Sequence, residues 1–318
     1  MARWTMIKSG ITPLFSHVLL YHAVFDTIPD SVKTNLQNVS PDELYKQLAW
    51  MKEHFDLVRL DDLLTMPDQE GTFAVTFDDA YKSVFSMALP VLEDLAVPAT
   101  VFVIGSTLSK KIFWRDKVRL LMSAGRVADF VSWADPFCRK NAITADDFYK
   151  RSKAPDVNSA ELDRLLGDFL ELGLSGLLRS TNLCADDRDQ LIDHPLLTYG
   201  NHTHNHYVLS SLSRPEKDRE ILENARIIEG LDRKKSKVFS IPFGGLETFD
   251  VETFAILAAE GYGAALLSRN RANHQTDGPL PNLYGLPVLE RYMPKATFEE
   301  FQQQVPDMIR AAHEMPSF

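Results

Sequence analysis

The sequence predicts an α/β chain whose parallel sheet closes, or nearly closes, into a barrel with helices outside it. Three observations lead there. Short apolar runs recur along the chain, separated by amphipathic stretches of helical period, the alternation that parallel strands need for their crossovers. The number of such runs suits a closed or nearly closed barrel better than a short open sheet. The rhythm breaks once, over 107–192, where helical patterns continue without a clear strand. That break divides the chain into a barrel formed by 1–106 and 193–318 and a helical insertion, or cap, over 107–192.

Taken in order, His17 to Tyr21 reads as a buried strand. Ser40-Pro41-Asp42-Glu43 has the form of a capping box with proline at the first helical position, so a helix runs on to about His54. Thr72 to Phe77 is the next strand, Ser83 to Leu95 is helical, and Ala99 to Ile104 is a strand rich in β-branched residues. In the insertion, Leu162, Leu165, Leu166 and Phe169 form the apolar stripe of a helix over Glu161–Leu172. Beyond it, Leu196 to Tyr199 is a strand and Ser213-Arg214-Pro215-Glu216 opens a capped helix. Val238 to Ile241, Gly263 to Leu267 and Leu286 to Leu289 are strands. Val251 to Glu260 is a helix, and a last helix starts near Phe298.

Bulk properties narrow the function. The chain has 318 residues, 45% hydrophobic and 25% charged, an ordinary globular composition. A net charge of -10 without a basic stripe argues against a nucleic-acid partner. The two cysteines, Cys138 and Cys184, form no CxxC pair and suit a reducing compartment. Met1-Ala2-Arg3-Trp4 lacks the form of a secretion signal, and Val18-Leu19-Leu20-Tyr21 is too short to span a bilayer. The expectation is a cytoplasmic protein with no integral membrane segment.

Two segments carry chemistry. Thr76-Phe77-Asp78-Asp79-Ala80 ends an apolar run in adjacent carboxylates. At about 4 Å like charges repel by roughly 1 kcal/mol in water and by more in a poorly solvated pocket, a cost that a cation removes. The plainer alternative is that they cap the next helix. Asn201-His202-Thr203-His204-Asn205-His206 holds three of the nine histidines. His202 and His206, four apart, share a face in a helix or tight turn, while His204 points elsewhere. Two imidazoles and one carboxylate form a facial ligand set that leaves positions for water and substrate.

The first of these segments resembles the TFDDG motif of the polysaccharide deacetylases, carbohydrate esterase family four, the NodB-homology type. The second resembles their H-[ST]-x-x-H motif. Leu19-Leu20-Tyr21-His22 is similar to the strand that opens many members. Ser240-Ile241-Pro242-Phe243-Gly244 stands where the family has R-x-P-Y-G, and Phe113-Trp114-Arg115-Asp116 is similar to a stretch found in some members. The resemblance implies a distorted (β/α) barrel, seven-stranded, and removal of an acyl group from an N-acylated amino sugar. It implies Asp78 as general base and Asp79, His202 and His206 as ligands of one divalent metal. Zinc is the default for such ligands, while cobalt, nickel or iron can use them too.

Three departures shape the expectation. Ser240 replaces the arginine that orients the base, so Arg115 or Arg291 is expected to stand in for it. Phe243 lacks the family tyrosine's hydroxyl. The late leucine-x-histidine motif is absent, its nearest segment being Leu286-Pro287-Val288-Leu289-Glu290-Arg291, and His22 is nominated as general acid. Phe243, Trp114, Arg115 and Arg291 are assigned to the substrate side of the site. The expected activity is metal-dependent N-deacylation of an amino sugar, carried on a nucleotide or lipid, in surface polysaccharide or glycoconjugate biosynthesis. A deformylase, a cyclic-amide hydrolase and a non-catalytic carbohydrate-binding relative are the alternatives.

Overall fold

The computed structural model describes residues 15–66, 68–274 and 281–313. The reading of Met1–Trp4 lies outside the described residues.

Seven main strands lie side by side in sequence order, all parallel: β1 (Phe15–Tyr21), β2 (Thr72–Phe77), β3 (Ala99–Val103), β4 (Leu197–Asn201), β5 (Lys235–Ser240), β6 (Ala264–Leu266) and β7 (Leu286–Leu289). Two-residue strands extend the sheet: Asp56–Leu57 along β2, Asn273–His274 antiparallel to β1, and Asn282–Leu283 antiparallel to β7. Just past β7, the Tyr292 carbonyl accepts from Leu20 at 3.0 Å and its N–H donates to Val18 at 3.2 Å. The two edges of the sheet thus meet at one residue instead of along a full ladder. The result is the distorted (β/α) barrel that the resemblance implied.

The main helices are α1 (Pro41–His54), α2 (Leu89–Leu95), α3 (Trp114–Ser123), α4 (Ser159–Gly173), α5 (Arg214–Glu229) and α6 (Val251–Ala259) between strands, and α7 (Phe298–His313) after β7. Short helices at Val127–Trp133, Asp135–Lys140, Phe148–Arg151 and Ser175–Ser180 complete the segment between β3 and β4, which contains no strand. Among the described residues, no helix is long and apolar enough to cross a membrane.

Two local expectations change. Ser40 Oγ accepts from Glu43 N at 3.3 Å, but the Glu43 carboxylate does not complete the box; it pairs with Lys46 and accepts from Phe298 N at the start of α7. The cap of one helix therefore also fastens another. The helix expected over Ser83–Leu95 opens as a π turn at Val84–Ala88, where Leu89 N reaches back to Val84 O. Pro90, which has no N–H to donate to Ser86, accounts for the wider turn.

Alternation along the strands sorts the barrel's two faces. Phe73, Val75 and Phe77 join the large core beneath the helices, while Ala74 joins Val18, Phe102, Val238, Leu266 and Leu289 in a second cluster inside. Gly200 belongs to this packing: a Cβ there would meet Phe102 Cε1 at 2.4 Å. Continuing the inner period past the strand ends brings His22, Asp78, His202, Ser240, Ser268 and Arg291 to one rim. This is the C-terminal rim, where parallel barrels build their sites.

Candidate active site

The rim loops turn through left-handed backbone at residues other than glycine. Asp79, Ala80, Thr203, His206 and Phe243 have φ of 67°, 49°, 63°, 61° and 65°. Each such residue costs about 1–3 kcal/mol and persists only where its surroundings impose it.

Around the histidines the imposing bonds are dense. Asn201 Oδ1 accepts from Thr203 N at 2.8 Å, and Thr203 Oγ1 accepts from His206 N at 2.8 Å. From α5, Asn224 Nδ2 donates to Asn201 Oδ1, the Thr203 carbonyl and the Val103 carbonyl, at 2.8, 2.8 and 2.7 Å. One turn earlier, Glu220 accepts from Asn205 N and Nδ2 at 2.7 and 2.6 Å. On the other side, Trp114 Nε1 donates to His206 O at 2.8 Å and Tyr207 Oη donates to Asp163 of α4 at 2.7 Å. His202 and His206 face each other across a bend, not along a helix, with ring centroids 4.6 Å apart.

Asp79, His202 and His206 each offer a ligand atom within 4.8 Å of the other two. Asp79 Oδ1 lies 3.6 Å from both His202 Nε2 and His206 Nε2, about the edge of a coordination polyhedron with bonds near 2.1 Å. All three residues are buried, and Asp79 Oδ1 and His202 Nε2 have no hydrogen-bond partner. Enclosed orphan acceptors are costly, and here they converge on one point. His202 Nδ1 lies 2.8 Å from the Ser240 carbonyl, which fixes the tautomer with Nε2 free to coordinate. Burial, then the Asp78 charge, pushes the Asp79 carboxyl well above its usual range; burial pulls both imidazoles down to the neutral form. Neutral imidazoles and a carboxylate needing a counter-charge fit a divalent cation.

Asp78 is held differently. Its carboxylate is gripped by Arg291, with Nη1 to Oδ1 and Nη2 to Oδ2 both at 2.8 Å. Ser240 Oγ lies 3.2 and 3.1 Å from the same oxygens and accepts from Arg291 Nη2 at 2.9 Å. Ser268 Oγ accepts from Arg291 at 3.0 Å, and Nε reaches the Leu267 carbonyl. Burial alone would raise the Asp78 pKa, but Arg291 and then His202 hold it well below the carboxylate range. Neither aspartate caps a helix. Of the two arginines expected to stand in for the family's arginine at 240, Arg291 is the one that reaches Asp78. Its donors are engaged in doing so, which makes it a partner of Asp78, not a substrate contact.

The remaining nominees lie around this centre. His22 directly follows β1; its Nδ1 is enclosed without a partner, and burial brings its pKa down to about 4 against the pull of Asp78. The Phe243 ring stands 4.9 Å from His206 and 6.2 Å from Trp114. Arg115 stacks on Trp114 at 4.7 Å and faces Phe243 at 5.7 Å. The sequence reading missed Glu220 and Asn224. Their signal is faint: they fall on the buried stripe of α5, with Lys217, Ile221 and Ile228, where apolar residues would be the default.

The sequence profile of the family described as polysaccharide deacetylase matches residues 65–150 and 185–265, which include Asp78, Asp79, His202, His206 and Phe243. No curated protein sequence matches the chain. Among solved structures, the chain is similar to the Streptococcus pyogenes deacetylase PplD, with 16% identity over 92% of this chain and 99% of that one and a TM-score of 0.55. It is similar to a polysaccharide deacetylase from Bacillus cereus, with 16% identity over 91% and 68% of the two chains and a TM-score of 0.53. It is also similar to a de-N-acetylase from Aggregatibacter actinomycetemcomitans, with 14% identity over 92% and 99% and a TM-score of 0.52. At such identities these structures speak for the fold alone. The profile spans more than half of the chain and carries both of its acidic and histidine motifs, so the chain belongs to the polysaccharide deacetylase family.

Proposed function

We propose that this protein is a metal-dependent hydrolase that removes an acetyl group from the nitrogen of an amino sugar during surface polysaccharide or glycoconjugate assembly. The observation that carries the reading is the division of labour between adjacent carboxylates. Asp79 joins two neutral imidazoles in a ligand set, while Asp78 is kept ionised beside it by Arg291. A protein that only bound sugar would have no use for a buried, ionised base next to a ligand set. Membership of the polysaccharide deacetylase family supports the same chemistry.

Asp79, His202 and His206 would hold one divalent cation, zinc by ligand preference. Bound there, the cation supplies Lewis-acid polarisation of the acyl oxygen and lowers the pKa of water. Asp78 takes the proton of the attacking water. The bidentate Arg291 fixes its orientation, with Ser240 as a further donor. The backbone N–H near Phe243 faces the developing oxyanion. The leaving amine needs a proton, and His22 delivers it. His22 is neutral at pH 7, so the proton it donates is the one Asp78 has taken from the attacking water, passed on to the imidazole and from there to the amine. Phe243, partly buried, offers its ring to the sugar, and the buried Trp114 and Arg115 back it from behind. We place the protein in the cytoplasm, with residues 107–192 as an inserted cap over the barrel and a nucleotide- or lipid-linked sugar as substrate.

The test is acetate release from N-acetylated amino sugars by protein as purified, after chelation, and after zinc is returned. Loss on chelation and recovery with zinc is expected. Full activity after stripping would overturn the reading, and formate release from N-formyl sugars in place of acetate would move it to a deformylase.

A further inference from the structure

Three arginines are buried at this site, and two of them have a carboxylate. Arg291 holds Asp78. Arg119 donates to Asp116 Oδ1 at 2.7 Å, an oxygen that also accepts from Tyr81 at 2.9 Å. Arg115 has none. It is 2% exposed, its Nη1 donates to the Ser152 hydroxyl at 2.8 Å, and its Nη2 is enclosed without a partner. A buried guanidinium with an unmet donor is costly unless something else supplies the acceptor.

A further cation stands close by. Lys153, partly exposed, stands 5.0 Å from the Tyr149 ring, and Arg115 stands 4.9 Å from the same ring. Arg115, Arg119 and Lys153 face Asp116, the exposed Glu247 and, through Arg119, Asp79, which is itself assigned to the ligand set. Burial lowers the Arg115 pKa to about 10 against the pull of Tyr149 and Asp116, and it pulls Lys153 down as well. The Phe243 ring connects this wall to the chemistry, 5.7 Å from Arg115 on one side and 4.9 Å from His206 on the other.

We propose that the wall formed by Arg115, Tyr149 and Lys153 receives an anionic oxygen group of the substrate, a carboxylate or a phosphate, and so selects an acidic N-acetylated amino sugar over a neutral one. The proposal rests on the deacetylase reading and deepens it to a substrate class. The ammonium at the mouth attracts the anion, and the planar guanidinium behind it offers a preformed donor. The Tyr149 ring packs against both cations and completes the wall.

The test uses the zinc-loaded protein and three probes: N-acetylglucosamine methyl glycoside, N-acetylmuramic acid and N-acetylglucosamine 1-phosphate. The expected result is a kcat/KM for acetate release at least about tenfold higher for one of the two acids, in keeping with a charge-assisted hydrogen bond. Which acid is preferred separates a carboxylate from a phosphate. Arg115→Gln is expected to bring the acid-to-neutral ratio to about one, and Lys153→Gln to lower it less. Equal turnover of all three probes by the unaltered protein, or an undiminished ratio in Arg115→Gln, would overturn the proposal. If Arg115→Gln fails to fold, the partly exposed Lys153→Gln decides: an unchanged ratio there counts against the wall. Calorimetric binding of the same probes separates the two readings. Selective acid binding without acetate release would keep the wall and remove the deacetylase assignment; indiscriminate release of acetate would do the reverse.

Discussion

The histidine loop and the pocket of the base share one rim, with His202 Nε2 only 3.4 Å from Asp78 Oδ2, yet they are organised on different plans. The loop is largely self-contained. Asn201, Thr203 and His206 bond to one another over six residues, and α5 and α3 brace the result from either side. The base pocket is assembled from afar: Asp78 at the end of β2, Ser240 at the end of β5, and Arg291 beyond β7, 213 residues along the chain from the carboxylate it grips. A loop whose geometry resides in its own backbone leaves little room for substitution. A carboxylate that needs only a cation can take it from any inward position on the rim. Here the guanidinium comes from just beyond β7, and a serine stands at 240, where the family motif has arginine.

The largest effect is expected from Arg291→Met. It strands a buried, ionised Asp78, and breaking such a pair costs about 3–5 kcal/mol. Denaturant unfolding should show the loss, with acetate release falling in parallel. Adding Ser240→Arg to Arg291→Ala then asks whether the cation's address matters. Partial recovery of stability and turnover is expected, because Ser240 already touches both carboxylate oxygens. No recovery would mean that the two strands are not interchangeable suppliers of charge.

His22→Asn is the next step down. As the acid for the leaving amine it should cost about a hundredfold in turnover, the low end for general acid catalysis. Zinc content should stay unchanged, since His22 lies outside the ligand set. Unchanged turnover would end its nomination. On the other side of the comparison, Glu220→Ala and Asn224→Ala release the loop that carries the imidazoles. They should weaken zinc binding about 10–100-fold, the usual cost of removing support from behind a metal's ligands. Competition with a chromophoric chelator would measure this. A fall in unfolding temperature with unchanged zinc affinity would assign these residues to folding alone.

The same contrast explains what could be read from the amino acids. The strands were legible because apolar runs of this length and spacing have few other uses. Asp78-Asp79 and His202-x-x-x-His206 were legible because their chemistry is written in neighbours. Arg115 and Arg291 were indistinguishable as replacements, since both are single arginines near other motifs. Only the inward period of the strand ends, continued past β7, separates them. Glu220 and Asn224 escaped because a polar residue on a helix normally faces water; here the buried side of α5 faces a loop that needs acceptors and donors. Glu43 escaped in part for a related reason. Its carboxylate had two backbone amides to choose from, and the one chosen lies 255 residues away.

Ser240→Ala should have the smallest effect, and it tests the contrast most finely. The hydroxyl contacts both Asp78 oxygens and accepts from Arg291, yet the guanidinium holds the carboxylate on its own through two bonds at 2.8 Å. Its loss should therefore cost only about 1 kcal/mol, a single net hydrogen bond, and lower turnover a few-fold. The Ser240 carbonyl, which orients His202, is main chain and remains in the variant, so zinc affinity should not move. A drop of two or more orders of magnitude in turnover, with zinc affinity intact, would show that the serine has taken over more of the lost arginine's role than Arg291 has.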